Sequence, residues 1–220
     1  MVSLRNSGRV YRRKTPRFNG EFFVIMKLMF FWISLGILVF VFLIQFANFF
    51  YFEKNLGKFS RILFFSAIAG ILIYYFYLTY AQYQLWKNSN DFTKYLVPPY
   101  KSITYVIGYH FMRFALYYAI ALALALIFLW VAKHHNKKFG GRFFEPEEPY
   151  FGALAIFLLG NGEWHYAWIT YFVFLLVFSA IGTAVYTKIL KKNERFPIYW
   201  LWFPIAIFVI VIMKLGLLKI

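Results

Sequence analysis

Five apolar stretches of this chain each run for about 18 or more residues without a charged side chain, the length that crosses about 30 Å of hydrocarbon. In lipid the backbone must satisfy its own hydrogen bonds, so only helices and closed barrels cross a membrane. The stretches lack the period-two alternation of a transmembrane barrel. They therefore predict spanning helices at Leu28–Phe52, Ile62–Trp86, Phe114–Ala132, Trp164–Thr187 and Phe196–Met213.

A sixth apolar run, from Pro149 to Gly162, is too short to span reliably, and the Gly160-Asn161-Gly162 sequence at its end predicts a turn. The sequence therefore predicts an all-α fold, a polytopic transmembrane helix bundle of five full spans plus one short or re-entrant helix.

The chain divides into a basic amino-terminal segment, residues 1–20, and an integral membrane domain, residues 21–220. The apolar run that follows the basic segment far exceeds the roughly 7–15 residues of a cleavable signal, so we expect a retained anchor with a cytoplasmic amino terminus. Cysteine is absent, which excludes disulfides, thiolate metal sites and thiol nucleophiles. We expect neither a cofactor nor a metal ion.

The net charge of +16, from 24 basic and 8 acidic residues, favours contact with a membrane surface. Basic residues beside apolar spans are attracted to anionic lipid headgroups by about 1 kcal/mol each, and they orient the spans during insertion. We therefore expect anionic lipid as a partner and no binding of nucleic acid.

The predicted spans do not give a consistent topology. With a cytoplasmic amino terminus, crossing by every span and by the short helix places the basic linkers at 133–142 and 188–195 outside, against the positive-inside rule. Either residues 62–133 contain a half-span, or the long third segment, 102–133, turns back on itself.

Acidic side chains are the main candidates for chemistry. Asp91 lies in the connection before Pro98 and Pro99, and Glu148 closes an acidic triplet with Glu145 and Glu147. Two carboxyl groups held close together cannot both ionise easily, so one keeps a proton while the other activates water. The competing interpretation is that Asp91 begins a turn while the glutamates offset basic side chains at the surface.

Four other residues are weaker candidates. His110 and Arg113 lie one helical turn apart inside the longest segment, where an ionisable side chain indicates either transport or a buried ion pair with an acidic residue. His134 and His135 are adjacent, so they point in different directions on a helix, and a solvated linker is favoured over a metal site.

Three stretches of the chain resemble type IV prepilin peptidases, which are polytopic aspartyl proteases. The first is Asp91-Phe-Thr-Lys-Tyr-Leu-Val97-Pro98-Pro99, which resembles the family's first active-site stretch in its spacing. The second runs from Glu148 to Gly160, with Glu148 where the second aspartate would be. The third, Arg195-Phe-Pro197 with Pro204-Ile-Ala206, resembles the proline-marked last helix.

The resemblance implies a degenerate relative, resident in a prokaryotic cytoplasmic membrane, that cuts pilin-like leader peptides at the cytoplasmic face with Asp91 and Glu148 as its catalytic pair. That pair would have to share a proton or one water molecule. The alternatives are a non-catalytic structural or assembly subunit that binds other membrane subunits, and a small transporter.

Overall fold

The computed structural model describes residues 18–48, 50, 56–141, 143–161, 167–188 and 197–217. Residues 1–17 of the predicted basic segment lie outside this part of the chain, as do Arg195 and Phe196 of the third peptidase-like stretch. No β-strand occurs in the described residues. The helices are α1 Phe18–Ala47, α2 Gly57–Lys87, α3 Ile103–His110, α4 Leu116–Lys138, α5 Glu148–Leu158, α6 Ala167–Lys188 and α7 Trp202–Lys214.

Four helical segments are long and apolar enough to cross a membrane, so the chain folds as a membrane-embedded, all-helical protein. They are Leu28–Ala47, Gly57–Lys87, Ile103–Lys138 and Ala167–Lys188. Five full spans are not confirmed: the last predicted span, Phe196–Met213, overlaps the 13-residue α7, which follows a short 3₁₀ turn, Ile198–Trp200. At 1.5 Å per residue α7 is about 20 Å long, less than the hydrocarbon thickness.

The long third segment does not turn back on itself, contrary to one of the two topologies that the sequence allowed. Helices α3 and α4 join through a π-helical turn, Phe111–Ala115, into one helical segment of 36 residues. The other topology, a half-span in the first half of the chain, is not seen either. The short apolar helices, α5 and α7, both lie in the second half.

Helices α2 and α3–α4 run antiparallel and define the two ends of the bundle. At one end, which we call the hairpin end, the Trp86 ring lies 6.3 Å from that of Tyr105, and the Tyr75 hydroxyl donates to the Ile107 carbonyl at 3.1 Å. At the other, which we call the acidic end, α4 finishes and α5 begins. The acidic end lies beside the first turns of α2, because the Phe64 and Tyr150 rings are 6.4 Å apart.

Helix α5 starts at the acidic end, runs back along α4 and stops beside its first two turns, where the Phe157 and Tyr118 rings lie 5.7 Å apart. All residues from Glu147 to Asn161 are buried. The chain approaches α4 and α7 closely at two glycines: a Cβ at Gly160 would lie 2.6 Å from Ala121 Cβ, and one at Gly152 would lie 2.6 Å from the Phe128 ring. The short helix predicted at Pro149–Gly162 is thus present as an element enclosed by the longer helices.

Helix α7 completes the enclosure of α5. The Phe151 and Phe203 rings lie 5.1 Å apart, which joins α5 to α7. Gln45 near the end of α1 donates its amide to the carbonyl of Tyr199 at 2.7 Å, and Lys214 at the other end of α7 lies over the Phe31 ring. Helices α1 and α7 are therefore antiparallel, and α7 ends beside the middle of α1.

We expect Gly160→Ala to destabilise the fold by about 1–3 kcal/mol, because the new methyl group would press on Ala121 Cβ and on the backbone of Tyr118. The measurement is the midpoint of thermal unfolding of the purified protein in detergent. Gly70→Ala is the matched control, since no atom lies within 4 Å of its new methyl group and alanine is the better helix former. Equal midpoints for Gly160→Ala and the wild type would contradict the close packing of α5 on α4.

Candidate functional site

The turn that leads into α5 is fixed by one side chain of α4. The Asn136 side-chain oxygen accepts hydrogen bonds from the backbone N–H groups of Phe143 and Phe144, at 3.1 and 3.2 Å, and its amide donates to the Phe144 carbonyl at 2.8 Å. Gly140 and Gly141 precede this turn with φ of 66° and 76°, the left-handed region that glycine adopts without strain. The turn positions the acidic triplet at the start of α5.

Glu148 is the most buried of these acidic residues, with 5% of its surface exposed. Its Oε2 accepts a hydrogen bond from the backbone N–H of Glu145 at 2.8 Å, and its Oε1 lies 3.5 Å from the indole N–H of Trp202, at the limit of a hydrogen bond. Pro149 follows in the first turn of α5, where a missing N–H costs nothing. The carboxyl group is thus held between α5 and α7.

Burial raises the pKa of Glu148 from 4.5 to about 7. The hydrogen bonds from Glu145 and Trp202 act in the opposite direction and are outweighed, and the neighbouring carboxylates of Glu145 and Glu147 add to the rise. The pKa of Glu147 is raised as well, mainly by burial. Glu148 therefore takes up and releases a proton near neutral pH.

Aromatic and amide groups surround the acidic residues. Burial and the three nearby glutamates raise the pKa of the Tyr199 hydroxyl. The Gln45 side-chain oxygen is fully buried and accepts no hydrogen bond. Lys133 on α4 donates to the Tyr150 hydroxyl and also lies over that ring, 4.2 Å from its centroid. The Lys133 ammonium group thus binds a tyrosine on α5.

Asp91 lies at the opposite end of the bundle from Glu148. Its backbone N–H donates to Ser89 Oγ at 3.0 Å, and its side chain is exposed at the start of a 3₁₀ turn, Phe92–Leu96. Glu148 lies near Phe64, because the ring of Tyr150, two residues further on, contacts the Phe64 ring. Asp91 lies just beyond Lys87, the last residue of α2. The stretch from Phe64 to Lys87 spans roughly 35 Å at 1.5 Å per residue. The structure therefore does not bring the two predicted catalytic carboxyl groups together.

The remaining candidates lie apart from the acidic end or at its rim. His110 is fully buried and stacks on Phe114 at 5.1 Å, while the exposed Arg113 guanidinium lies 5.5 Å from the Tyr109 ring centroid. His134 stacks on Trp130 and His135 on Phe139 in different directions, as expected for adjacent residues. Among the described residues, no three His, Asp or Glu side chains cluster as a metal ligand set.

No family model matches the chain, and neither curated proteins nor solved structures show significant similarity to it. The resemblance to prepilin peptidases therefore stays a prediction.

Sequence reasoning missed Gln45, Tyr199 and Trp202 as parts of the site. Gln45 carried a signal, because it is a polar residue inside a long apolar span, and such residues usually face another helix. The two aromatic residues carried none, since tyrosine and tryptophan are frequent at the ends of all the spans.

We expect the folded protein to lose stability as the pH rises from about 4.5 to about 7. The folded chain holds the Glu148 proton more tightly than the unfolded chain does. The contribution of this proton to the free energy of unfolding is therefore complete below pH 4.5, and it is lost as the pH rises through the folded pKa. The shift corresponds to about 3 kcal/mol.

The measurement is the thermal unfolding midpoint in detergent between pH 4.5 and 8. Glu148→Gln should remove most of the dependence of the midpoint on pH, and Glu147 should account for the remainder. Glu145→Gln, at an exposed position, should keep the pH dependence of the wild type. A wild-type midpoint that is constant or rises over this range would contradict the assignment.

Proposed function

We propose that this protein is a non-proteolytic assembly subunit of a membrane complex, built on a peptidase-like arrangement of helices in which the two acidic positions no longer meet. The observation that carries the proposal is the separation of Asp91 and Glu148 by roughly the length of α2 from Phe64 onward. Two carboxyl groups share a proton or activate one water only within direct hydrogen-bonding reach of each other or of that water.

Two of the three peptidase-like stretches do meet, which supports a related architecture. Glu148 and Phe151 of the second stretch contact Trp202 and Phe203, which directly precede Pro204 of the third. In this proposal α5 enters the membrane region from the acidic end and ends at Leu158, within the bundle. The core around α5 is retained, and the catalytic pairing is lost.

Helix α6 supplies the surface for a partner. Its buried residues, Ala167, Thr170, Tyr171 and Leu175, all lie in its first nine positions, and none of the residues 176–188 is buried. That second half presents small side chains at a spacing of four, which lets another helix approach closely. They are Ser179, Thr183 and Thr187, with Ala180 and Ala184 beside them.

The hydroxyl groups on this surface already have partners within α6. Ser179 donates to Leu176, Thr183 to Ser179, and Thr187 to Thr183, in each case to a backbone carbonyl. The side chains on this surface are therefore small, and their hydroxyl groups are not left as unpaired hydrogen-bond donors. Such a surface suits tight van der Waals packing against a transmembrane helix of another subunit.

We expect the protein extracted from native membranes in mild detergent to run as a complex larger than its own 26.3 kDa. Ala184→Leu should release the 26.3 kDa chain, because the larger side chain blocks close approach of a partner helix. Val185→Leu is the matched control, since it enlarges an exposed neighbour on another face of α6. The measurement is the size of the native complex, compared between the wild type and the two variants expressed at equal levels.

A cleavage assay gives the outcome that would contradict the proposal. The reconstituted protein is mixed with a precursor that carries a basic leader before a hydrophobic helix. We expect no processing. Cleavage by the wild type that is lost in both Asp91→Asn and Glu148→Gln, with both variants still folded as shown by a cooperative thermal transition, would restore the peptidase function and overturn the subunit proposal.

A further inference from the structure

The connection between α2 and α3 presents large aromatic side chains at the hairpin end, although it lies outside the four segments that are able to cross a membrane. Phe92, Tyr95 and Tyr100 are 73%, 48% and 63% exposed. Single exposed apolar residues are common on protein surfaces, but three large rings within nine residues form a patch. An exposed apolar patch indicates a surface that meets another molecule.

The 3₁₀ turn Phe92–Leu96 directs its side chains to two opposite sides. A 3₁₀ helix has three residues per turn, so residues three apart lie on the same side. Thr93 is buried, and Leu96 packs against the buried cluster that joins α2 to α3. Phe92 and Tyr95 are also three apart, and both are exposed. The turn therefore has one side on the protein and an aromatic side facing outward.

The neighbouring turn holds the third ring in a fixed place. Val97 is almost completely buried, and its carbonyl accepts the backbone N–H groups of Tyr100 and Lys101 at 3.1 and 3.2 Å. The Tyr100 and Tyr95 rings meet edge to face, with 4.8 Å between their centroids. The exposed rings thus belong to one ordered surface.

Lysine side chains accompany these rings. The charged residues between positions 87 and 101 are Lys87, Asp91, Lys94 and Lys101. The Lys94 ammonium group lies 5.1 Å from the centroid of the Tyr95 ring. Lys87 and Lys101, at the two ends of the stretch, are exposed. We call the three lysines together with Phe92, Tyr95 and Tyr100 the connection patch, and it carries a positive charge.

The lengths of the two adjoining helical segments place the connection patch at the membrane surface. Gly57–Lys87 has 31 residues and Ile103–Lys138 has 36, so they are about 46 and 54 Å long at 1.5 Å per residue. A bilayer with its headgroup layers is about 40–45 Å thick. The shared end of the two segments therefore lies at the level of the headgroups.

The composition of the connection patch matches that level of the membrane. Tyrosine rings concentrate where the hydrocarbon meets the headgroups. Lysines carry their charge on long apolar stems and are attracted to anionic lipid. Water would leave the Phe92 ring solvated, and a neutral headgroup would not complement the charge of the three lysines. An anionic lipid satisfies both parts of the patch.

We propose that the connection patch binds anionic phospholipid, with the rings of Phe92 and Tyr95 inserted beneath the headgroups and the lysines donating hydrogen bonds to phosphate oxygens. The site goes beyond the proposed assembly function and does not depend on it, because the partner surface of that function is on α6.

The test measures which lipid lies beside the connection patch. Asn90 is exposed and the chain has no cysteine, so the full-length Asn90→Cys protein carries a single bimane fluorophore at this position. The labelled protein is reconstituted in phosphatidylcholine vesicles. Phosphatidylglycerol or phosphatidylcholine, each brominated close to the headgroup, is included as the quencher. We expect phosphatidylglycerol to quench at a mole fraction at least about five-fold lower, the effect of one lysine at a membrane surface.

Substitutions show which side chains select the lipid. Lys94→Gln combined with Lys101→Gln should make the two lipids quench at the same mole fraction. Lys137→Gln combined with Lys138→Gln is the matched control, because it removes the same charge from exposed positions at the acidic end. The control should keep the preference for phosphatidylglycerol beside position 90.

Three results would overturn the proposal. The first is equal quenching by the two lipids when the patch is unchanged, and the second is a preference that persists in the Lys94 and Lys101 double variant. The third is quenching by neither lipid, which would place the patch in water or against another protein. Raising the salt concentration gives a check that needs no substitution in the patch, since screening should remove the preference. A preference that high salt leaves unchanged would also contradict the proposal.

Discussion

The enclosure of α5 by longer helices is the constraint on which the rest of the structure depends. A short apolar helix cannot cross the hydrocarbon, and its buried end must be held by neighbouring protein. Gly152 and Gly160 permit this, because at both positions a side chain would collide with an adjacent helix. Ala121 and Ala125 on α4 are fully buried as well. Small residues on both helices thus allow the close approach that packing in lipid requires.

The same enclosure decides the chemistry of the acidic end. Glu148 begins α5, so packing α5 into the bundle takes its carboxyl group out of water and raises its pKa to about 7. The carboxyl group contacts the Glu145 N–H and the Trp202 indole, and neither is a cation. The length of α2 keeps Asp91 at the hairpin end. What remains is a buried carboxyl group that binds a proton near neutral pH at the edge of the bundle core.

The sequence predicted the features that depend on length and apolar content. Four spans and the short helix after Pro149 follow from hydropathy alone, and the structure contains them. The length of the fifth span was overestimated, because within the apolar run from Phe196 to Met213 the residues Ile198–Trp200 form a separate 3₁₀ turn before α7. Hydropathy counts apolar residues and does not detect such a break.

Features that depend on how the helices assemble could not be predicted. The expected meeting of Asp91 and Glu148 required the two connections to share one end of the bundle. The continuous segment Ile103–Lys138 instead separates these connections by its full length.

The most direct test of the account is the sidedness of the two connections. The chain has no cysteine, so single cysteines at the exposed positions Asn90 and Lys137 can be labelled with a membrane-impermeant maleimide in intact and in permeabilised cells. We expect one position to react in intact cells and the other only after permeabilisation, because α3–α4 lies between them. Labelling of both positions from the same side would contradict it.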